Sequence, residues 1–136
     1  MRLAFVAVVV LAGCAGSPRG TPEAARAPPI KLGQEFTLPK GGEAKVEGTH
    51  FTLIFDGVPE DSRCAEGTTC VWEGNARISL TVRDLHDERM ELNTSARFAQ
   101  KLDFEGYVIE LRSLEPVRSA SAQSPPYAAT LLVSPK

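Results

Sequence analysis

The sequence has little excess charge of either sign and no long hydrophobic run in its interior. Its 15 Lys and Arg residues are nearly balanced by 17 Asp and Glu residues, which gives a formal net charge of −2 over 136 residues. Binding to nucleic acid requires a basic surface that neutralises phosphates, and adhesion to anionic lipid requires a basic cluster. Neither partner is therefore expected. No interior segment reaches the roughly 20 apolar residues that a membrane-spanning helix needs.

Motifs of common enzymes and cofactor sites are also missing. The chain has no Gly-x-Ser-x-Gly nucleophile elbow, no phosphate-binding glycine loop and no haem-attachment motif. Ser62, His50 and Asp61 are the residue types of a catalytic triad, but their spacing does not support one. We therefore expect a protein that is not an enzyme and needs no cofactor, with an unrecognised hydrolase as the enzymatic alternative.

Metal binding has little support in the sequence. Cys64 and Cys70 with His50 or His86 offer thiolate and imidazole ligands. The two cysteines are not spaced as Cys-x-x-Cys, however, and oxidation would remove the thiolates. His50 precedes a predicted strand and His86 lies in a predicted turn, so both are expected in solvent. No metal site is predicted.

Acidic residues cluster in two places. Asp56, Glu60 and Asp61 supply the oxygen ligands that Ca²⁺ prefers, although they match no recognised calcium-binding loop. Such carboxylate groups, and the pair Asp103 and Glu105, are also the residue types of glycosidase chemistry. We interpret both clusters as solvated turn residues, with a calcium site at the first as the alternative.

The N-terminus has the features of an export signal. Arg2 provides a positive charge, and the ten apolar residues 3–12 are too few to span a membrane but suit a signal peptide. Residues 11–14, Leu-Ala-Gly-Cys, resemble the lipobox of bacterial lipoproteins at all four positions. The resemblance implies a diacylglyceryl thioether on Cys14, cleavage before it, and acylation of the new amine by a fatty acid such as palmitate. Ala15 favours the outer membrane, with the domain facing the periplasm.

Three segments follow from this interpretation. Residues 1–13 form the lipoprotein signal peptide. Residues 14–29 carry the lipidated cysteine and a tether rich in Pro, Ala and Gly, which has no large apolar residue and cannot form a core. Residues 30–136 remain for one small globular domain.

The globular part shows the period-two alternation of β-strands. The clearest case is residues 72–82, where apolar or small side chains occupy the even positions and mostly polar ones the odd positions. Similar alternation predicts strands near residues 51–55, 107–111 and 127–133, with weaker candidates at 34–38, 44–47 and 89–92. Turn residues separate these segments at positions 39–42, 48, 57–59 and 124–126.

This pattern predicts an all-β domain, an antiparallel sandwich or open barrel of about six to eight short strands. The one candidate for helix is residues 94–101, which are expected to form a single short turn capped by Thr94 or Ser95.

Two cysteines remain after Cys14 is lipidated. An exported chain matures in an oxidising compartment, so Cys64 and Cys70 are expected to form a disulfide. Gly67 supplies the flexibility that so small a ring requires. Asp61 can accept a hydrogen bond from the backbone two residues later and so preset the turn. Trp72 is expected in the core, with its ring near the disulfide.

The chain around this ring carries Asp61, Ser62, Arg63 and Cys64, then Cys70, Trp72 and Gly74. These residues resemble the motif Asp-Ser-Arg-Cys-Pro, a few residues, then Cys-x-Trp-x-Gly, found in a group of small bacterial lipoprotein domains of uncertain function. Ala65 stands where proline is usual. The resemblance implies a β-rich domain with a disulfide, but no activity, ligand or catalytic residue.

Three functions are compatible with these observations. The leading expectation is a membrane-anchored envelope lipoprotein that acts as a non-enzymatic interaction or structural module, with an envelope protein as its partner. The alternative is a small inhibitor or ligand-binding domain that uses the Cys64–Cys70 loop and presents Arg63 and Glu66. An enzyme is third. An exposed apolar patch would favour a protein partner, and a deep polar pocket would favour a ligand or an enzyme.

Overall fold

The computed structural model describes residues 29–119 and 126–136 of the chain. The predicted signal peptide, Cys14 and nearly all of the predicted tether lie outside the described residues, as do positions 124 and 125 of the predicted turn at 124–126. Within the described ranges, no helix is long and apolar enough to cross a membrane.

The regular structure of the described residues consists of eight β-strands. They are β1 (Glu35–Pro39), β2 (Glu43–Lys45), β3 (Thr52–Asp61), β4 (Ala76–Arg83), β5 (Asp87–Asn93), β6 (Lys101–Phe104), β7 (Tyr107–Glu115) and β8 (Ala128–Pro135). The prediction of an all-β domain with six to eight short strands is confirmed.

The strands form two antiparallel sheets of four. One sheet has the order β1-β8-β7-β6 and the other the order β2-β3-β4-β5. Among the described strands, the two sheets do not close into a barrel. Residues from both sheets form one hydrophobic core. Of the two predicted architectures, the sandwich and the open barrel, the structure is therefore the sandwich.

Alternation along each strand determines which side chains fill this core. In β4, Ile78, Leu80 and Val82 are fully buried, whereas Arg77 and Thr81 are partly exposed. The same pattern buries one face of the strands predicted near residues 51–55, 107–111 and 127–133, by way of Phe51, Leu53, Phe55, Ile109, Leu111, Ala129, Leu131 and Val133.

Aromatic rings close one end of the core. Phe51 makes edge contacts with Phe104 at 5.3 Å and with Tyr107 at 5.6 Å between ring centroids. Phe51 lies just before β3, Phe104 ends β6, and Tyr107 begins β7. Since β2–β5 and β1, β6–β8 belong to different sheets, these contacts join the two sheets at this end.

The strand predicted from residue 72 begins later than its alternation indicates. Pairing of β3 with β4 ends at Asp61 and Ala76, and Gly74 has a φ of +74°, outside the extended region. This backbone turn interrupts the alternating face, so Trp72 does not continue it. The prediction that Trp72 lies in the core is wrong, because this residue is 48% exposed.

The turn predicted at residues 57–59 lies inside a strand. Gly57, Val58 and Pro59 belong to β3, and the pairing with β4 shifts its register on either side of Gly57. Such irregularities let a strand accommodate a proline, which has no N–H to donate to the ladder. The turn residues here mark a bulge in a continuing strand.

The helical turn predicted at residues 94–101 is also wrong. Phe98 N–H donates to the Ser95 carbonyl at 3.1 Å, which closes an isolated turn, and residues from Lys101 onward form strand β6. Ser95 Oγ does accept a hydrogen bond from Arg97 N–H at 3.3 Å. The predicted capping residue is therefore used, but for a turn between β5 and β6.

Candidate functional site

The predicted disulfide between Cys64 and Cys70 is present, with Cα atoms 5.9 Å apart. It lies in the connection between β3 and β4, residues 62–75, which we call the disulfide loop. This connection is at the end of the sandwich where β3 finishes and β4 starts. The motif residues found in the sequence are therefore all at one end of the molecule.

Arg63 fastens the disulfide loop to the domain. Its Nε and one terminal nitrogen donate to the two carboxylate oxygens of Asp61 at 2.9 and 2.8 Å. Its terminal nitrogens also donate to the carbonyl oxygens of Leu114 at 2.8 Å and Pro116 at 2.9 Å. The planar guanidinium thus donates two bonds to Asp61 and two to carbonyls at the end of β7, which joins the loop to that strand.

Asp61 is held in its ionised form by these contacts. Burial by itself raises the pKa of Asp61, but hydrogen bonds from the Arg63 side chain and backbone, the Arg63 charge and the Tyr127 hydroxyl outweigh it, so the pKa lies below the ordinary value of 3.8. Tyr127 donates to Asp61 at 3.0 Å, and the predicted bond from the Arg63 N–H to Asp61 is present at 3.2 Å.

Backbone contacts hold the two sides of the loop together. Ser62 N–H donates to the Asn75 carbonyl at 2.7 Å, and Cys64 N–H donates to the Glu73 carbonyl at 2.9 Å. Gly74 fits this close approach because a Cβ at its position would lie 2.0 Å from the Ser62 carbonyl oxygen. Any other residue there would collide with the opposite side of the loop.

The remaining motif residue, Trp72, has a different environment. It is 48% exposed, and its neighbour Val71 is fully exposed. Trp72 borders the same shallow depression as Cys64 and Cys70, at the surface of the domain. Val117, which is 51% exposed, borders an adjoining depression. We call Val71, Trp72 and Val117 the loop surface.

The depression beside the loop surface has a volume of about 510 Å³ and also contacts Arg63 and Arg118. Arg118 donates from its side chain to the Arg63 carbonyl at 3.0 Å. Polar and apolar groups thus line one open concavity over the disulfide. Such a surface suits contact with a partner or an extended ligand better than enclosure of a small molecule.

The inhibitor interpretation rested on a rigid ring that carries Arg63 and Glu66. The Arg63 side chain is only 15% exposed because it is bound to Asp61 and to the end of β7. Glu66 is exposed, and its backbone N–H donates to the Arg118 carbonyl at 2.8 Å. Of the two charged residues that the interpretation placed on the loop, Glu66 is therefore exposed and the Arg63 side chain is largely covered.

The other sequence candidates do not come together in the described residues. Ser62 Oγ donates to the Asn75 carbonyl, and His50 lies at the opposite end of β3 from Asp61, so the three possible triad residues form no unit. Likewise Asp56, Glu60 and Asp61 do not form a group of converging metal ligands. Their carboxylates have separate partners in Thr81, Arg77 and Arg63.

One group that the sequence did not indicate does converge. His50, Asp84 and Glu105 place their ligand atoms within 4.8 Å of one another at the opposite end of the sandwich. His50 and His86 are both exposed, as predicted, and lie before β3 and between β4 and β5. No sequence spacing pointed to this group, because its members come from three separate connections.

Comparisons with protein-family models, with curated proteins and with solved structures find no match to this chain. Fold and site together define the described part as an all-β sandwich domain with a disulfide-closed loop at one end.

Proposed function

We propose that the protein is a membrane-anchored envelope lipoprotein that acts as a non-enzymatic interaction module and contacts a protein partner through the loop surface. One observation carries the proposal. Asp61, Ser62, Arg63 and Gly74 are accounted for by contacts that hold the disulfide loop, whereas Trp72 stays half exposed beside the fully exposed Val71.

The energetics of this loop favour binding. A half-exposed tryptophan offers a large contact area, and Trp is enriched among the residues that dominate protein interfaces. The disulfide and the Arg63 contacts hold the loop in one conformation before any partner arrives. The loop therefore loses less conformational entropy when a partner binds, and this smaller cost raises affinity.

The position where the chain enters the domain supports the same interpretation. Ile30 bridges to Val46, and its N–H donates to the Lys45 carbonyl at 3.2 Å. Lys45 ends β2, so the chain enters at the end of the sandwich opposite the disulfide loop. If Cys14 carries the lipid, the predicted tether joins the domain at the end away from the loop surface, which leaves that surface free for a partner.

A second candidate is binding of an extended ligand in the depression beside the disulfide. Its volume of about 510 Å³ lies within the range of ligand sites in proteins. Arg118 borders this depression and would favour an anionic group.

The proposal is tested by photo-crosslinking in living cells of the source organism. A photo-reactive residue replaces Val71 in the full chain, and the matched control replaces Leu85, which is 89% exposed and lies between β4 and β5 at the other end. We expect one discrete protein adduct from position 71, weakened by Trp72→Ala, and none from position 85.

Absence of a protein adduct at position 71, or equal adducts from both positions, would contradict a partner at the loop surface. An adduct of small mass at position 71 would instead support the ligand-binding candidate.

A further inference from the structure

Three side chains from three connections meet at the end of the sandwich opposite the disulfide loop. His50 comes from the connection between β2 and β3, Asp84 from that between β4 and β5, and Glu105 from that between β6 and β7. We propose that these residues bind a divalent transition-metal ion of the zinc class. The first two connections belong to one sheet and the third to the other, so a bound ion would link the sheets.

The distances suit one ion. His50 Nε2 lies 3.5 Å from Asp84 Oδ2 and 2.6 Å from Glu105 Oε2. Zinc bonds of about 2.0–2.2 Å in tetrahedral geometry place ligand atoms roughly 3.3–3.5 Å apart. The separation of His50 and Asp84 already has this value. The contact of His50 with Glu105 is a hydrogen bond, and ion binding would require the half-exposed Glu105 side chain to rotate away from it.

The surrounding residues hold these connections in place. The Phe51 ring makes an edge contact with the His50 ring at 5.9 Å, and Phe51 itself is fully buried. Tyr107 donates its hydroxyl to the Gly48 carbonyl at 3.1 Å, which ties the connection before β3 to the start of β7. The connections that carry the ligands are therefore held together before an ion binds.

The charge of the group also favours a cation. Among the described residues, the ion pairs of Asp84 and Glu105 are with His50 alone. Nearby cations have other partners, since Arg83 pairs with Glu43 and Asp87. An imidazole carries at most one positive charge, so the group keeps a net charge of −1 or −2 in either protonation state of His50. A divalent ion would compensate this charge.

The ligand set indicates which class of ion fits. Imidazole nitrogen suits zinc, copper, nickel and iron, whereas calcium and magnesium prefer sites built from oxygen ligands alone. Three protein ligands leave a fourth position for water. The site is distinct from the loop surface because β3, ten residues long, separates the two ends by roughly 30 Å. The proposal does not depend on the proposed function.

Isothermal titration of the full chain in detergent with Zn²⁺ tests the site. We expect saturable binding of one ion, weakened roughly tenfold or more by His50→Gln, Asp84→Asn or Glu105→Gln. His86→Gln is the matched control, since this residue is the other histidine and is exposed in the same connection as Asp84. Cys14→Ser removes the one cysteine outside the disulfide, which is a free thiol in any unlipidated protein, and should leave binding unchanged.

A second measurement covers variants that fold poorly. Saturating Zn²⁺ should raise the Tm of the native protein and of His86→Gln, because an ion that links two sheets binds only the folded state. His50→Gln should show a clearly smaller rise at the same Zn²⁺ concentration. Absence of saturable binding, equal affinity in His50→Gln, loss of binding in Cys14→Ser, or displacement of Zn²⁺ by an equal concentration of Ca²⁺ would each overturn the proposal.

Discussion

Single residues of the disulfide loop divide into those that hold the loop and those that face solvent. Arg63 and Asp61 make charged hydrogen bonds to each other, and Arg63 also reaches the end of β7. Gly74 allows the loop's two sides to meet. Trp72 and Val71 use none of these contacts and remain exposed. A substitution should therefore affect stability or binding according to which group it changes.

Trp72→Ala should lower the free energy of unfolding by only about 1 kcal/mol, the effect of a typical substitution, because nearly half of the side chain is already in solvent. Phe55→Ala is the comparison, since Phe55 is fully buried and its loss should cost roughly 3–5 kcal/mol. Urea unfolding of both variants measures the difference. Equal losses would mean that the Trp72 ring contributes to the core.

Asp61→Asn should alter the dependence of stability on pH. The folded-state pKa of Asp61 is below its ordinary value of 3.8. Its ionised form therefore contributes stability that is present above the unfolded-state pKa and is lost as pH falls through the lower folded-state pKa. The stability gap between native protein and Asp61→Asn should be largest near neutral pH and shrink below about pH 4.

Urea unfolding across this pH range measures the gap. Tyr127→Phe serves as the control, because it removes only one of the hydrogen bonds that Asp61 accepts and should keep most of the pH dependence. A gap that stays constant into acid would contradict the assignment of ionised Asp61 as a stabilising group.

At the scale of elements, the connection between β3 and β4 is cross-linked by a disulfide and by hydrogen bonds. The disulfide closes its ring, and backbone bonds join Ser62 with Asn75 and Cys64 with Glu73. Arg63 adds contacts to the carbonyls that end β7. These contacts hold the disulfide loop in place, although none of its residues belongs to a strand of either sheet.

Replacing Cys64 and Cys70 together with serine should lower stability. Closing a ring of seven residues is worth about 2.4 kcal/mol on the chain-entropy model, which in a domain of this size corresponds to a fall in Tm of roughly 10 °C. Differential scanning calorimetry measures the change, and reduction of the native protein should reproduce it. An unchanged Tm would show that the other loop contacts make the disulfide energetically redundant.

At the scale of the whole molecule, the two ends of the sandwich differ. One end carries the disulfide loop and the loop surface, and the other carries the entry of the chain at Ile30 and the group of His50, Asp84 and Glu105. A lipid anchor on Cys14 would connect to the domain at this second end, where Ile30 enters. The proposed partner surface lies at the end away from that connection.

Cys14→Ser should release the protein from the membrane fraction. Each buried methylene of an acyl chain contributes about 0.8 kcal/mol, so two or three chains anchor a protein effectively permanently, and their loss removes the anchor. Fractionation of cells followed by immunoblotting measures the distribution. The double variant Cys64→Ser and Cys70→Ser should stay with the membrane, and an unchanged distribution of Cys14→Ser would refute lipid anchoring at this residue.

Much of the fold was readable from local patterns. Alternation at Leu53 and Phe55 or at Ile78 and Leu80 assigns one face of a strand to the core, because strand side chains alternate with a period of two regardless of their partners. The turn at Asp61 was also predictable from local sequence, because the hydrogen bond that Asp61 accepts from Arg63 N–H spans only two residues.

The errors arose where a local signal had two outcomes. Residues 57–59 are turn formers, but pairing with β4 kept them inside β3 as a bulge. Trp72 alternates with the core residues of β4, but the left-handed backbone at Gly74 placed it in the loop. The first outcome is decided by pairing with β4, and the second by the close approach of the two sides of the loop at Gly74.

Sequence alone therefore determined the all-β class, the buried faces of most strands and the partner of Cys64. Tertiary structure alone decided that Arg63 binds carbonyls more than fifty residues away, at Leu114 and Pro116. It also brought together His50, Asp84 and Glu105. The physical reason is that period and spacing report on neighbours along the chain, whereas these contacts depend on how two sheets stack and which of their ends meet.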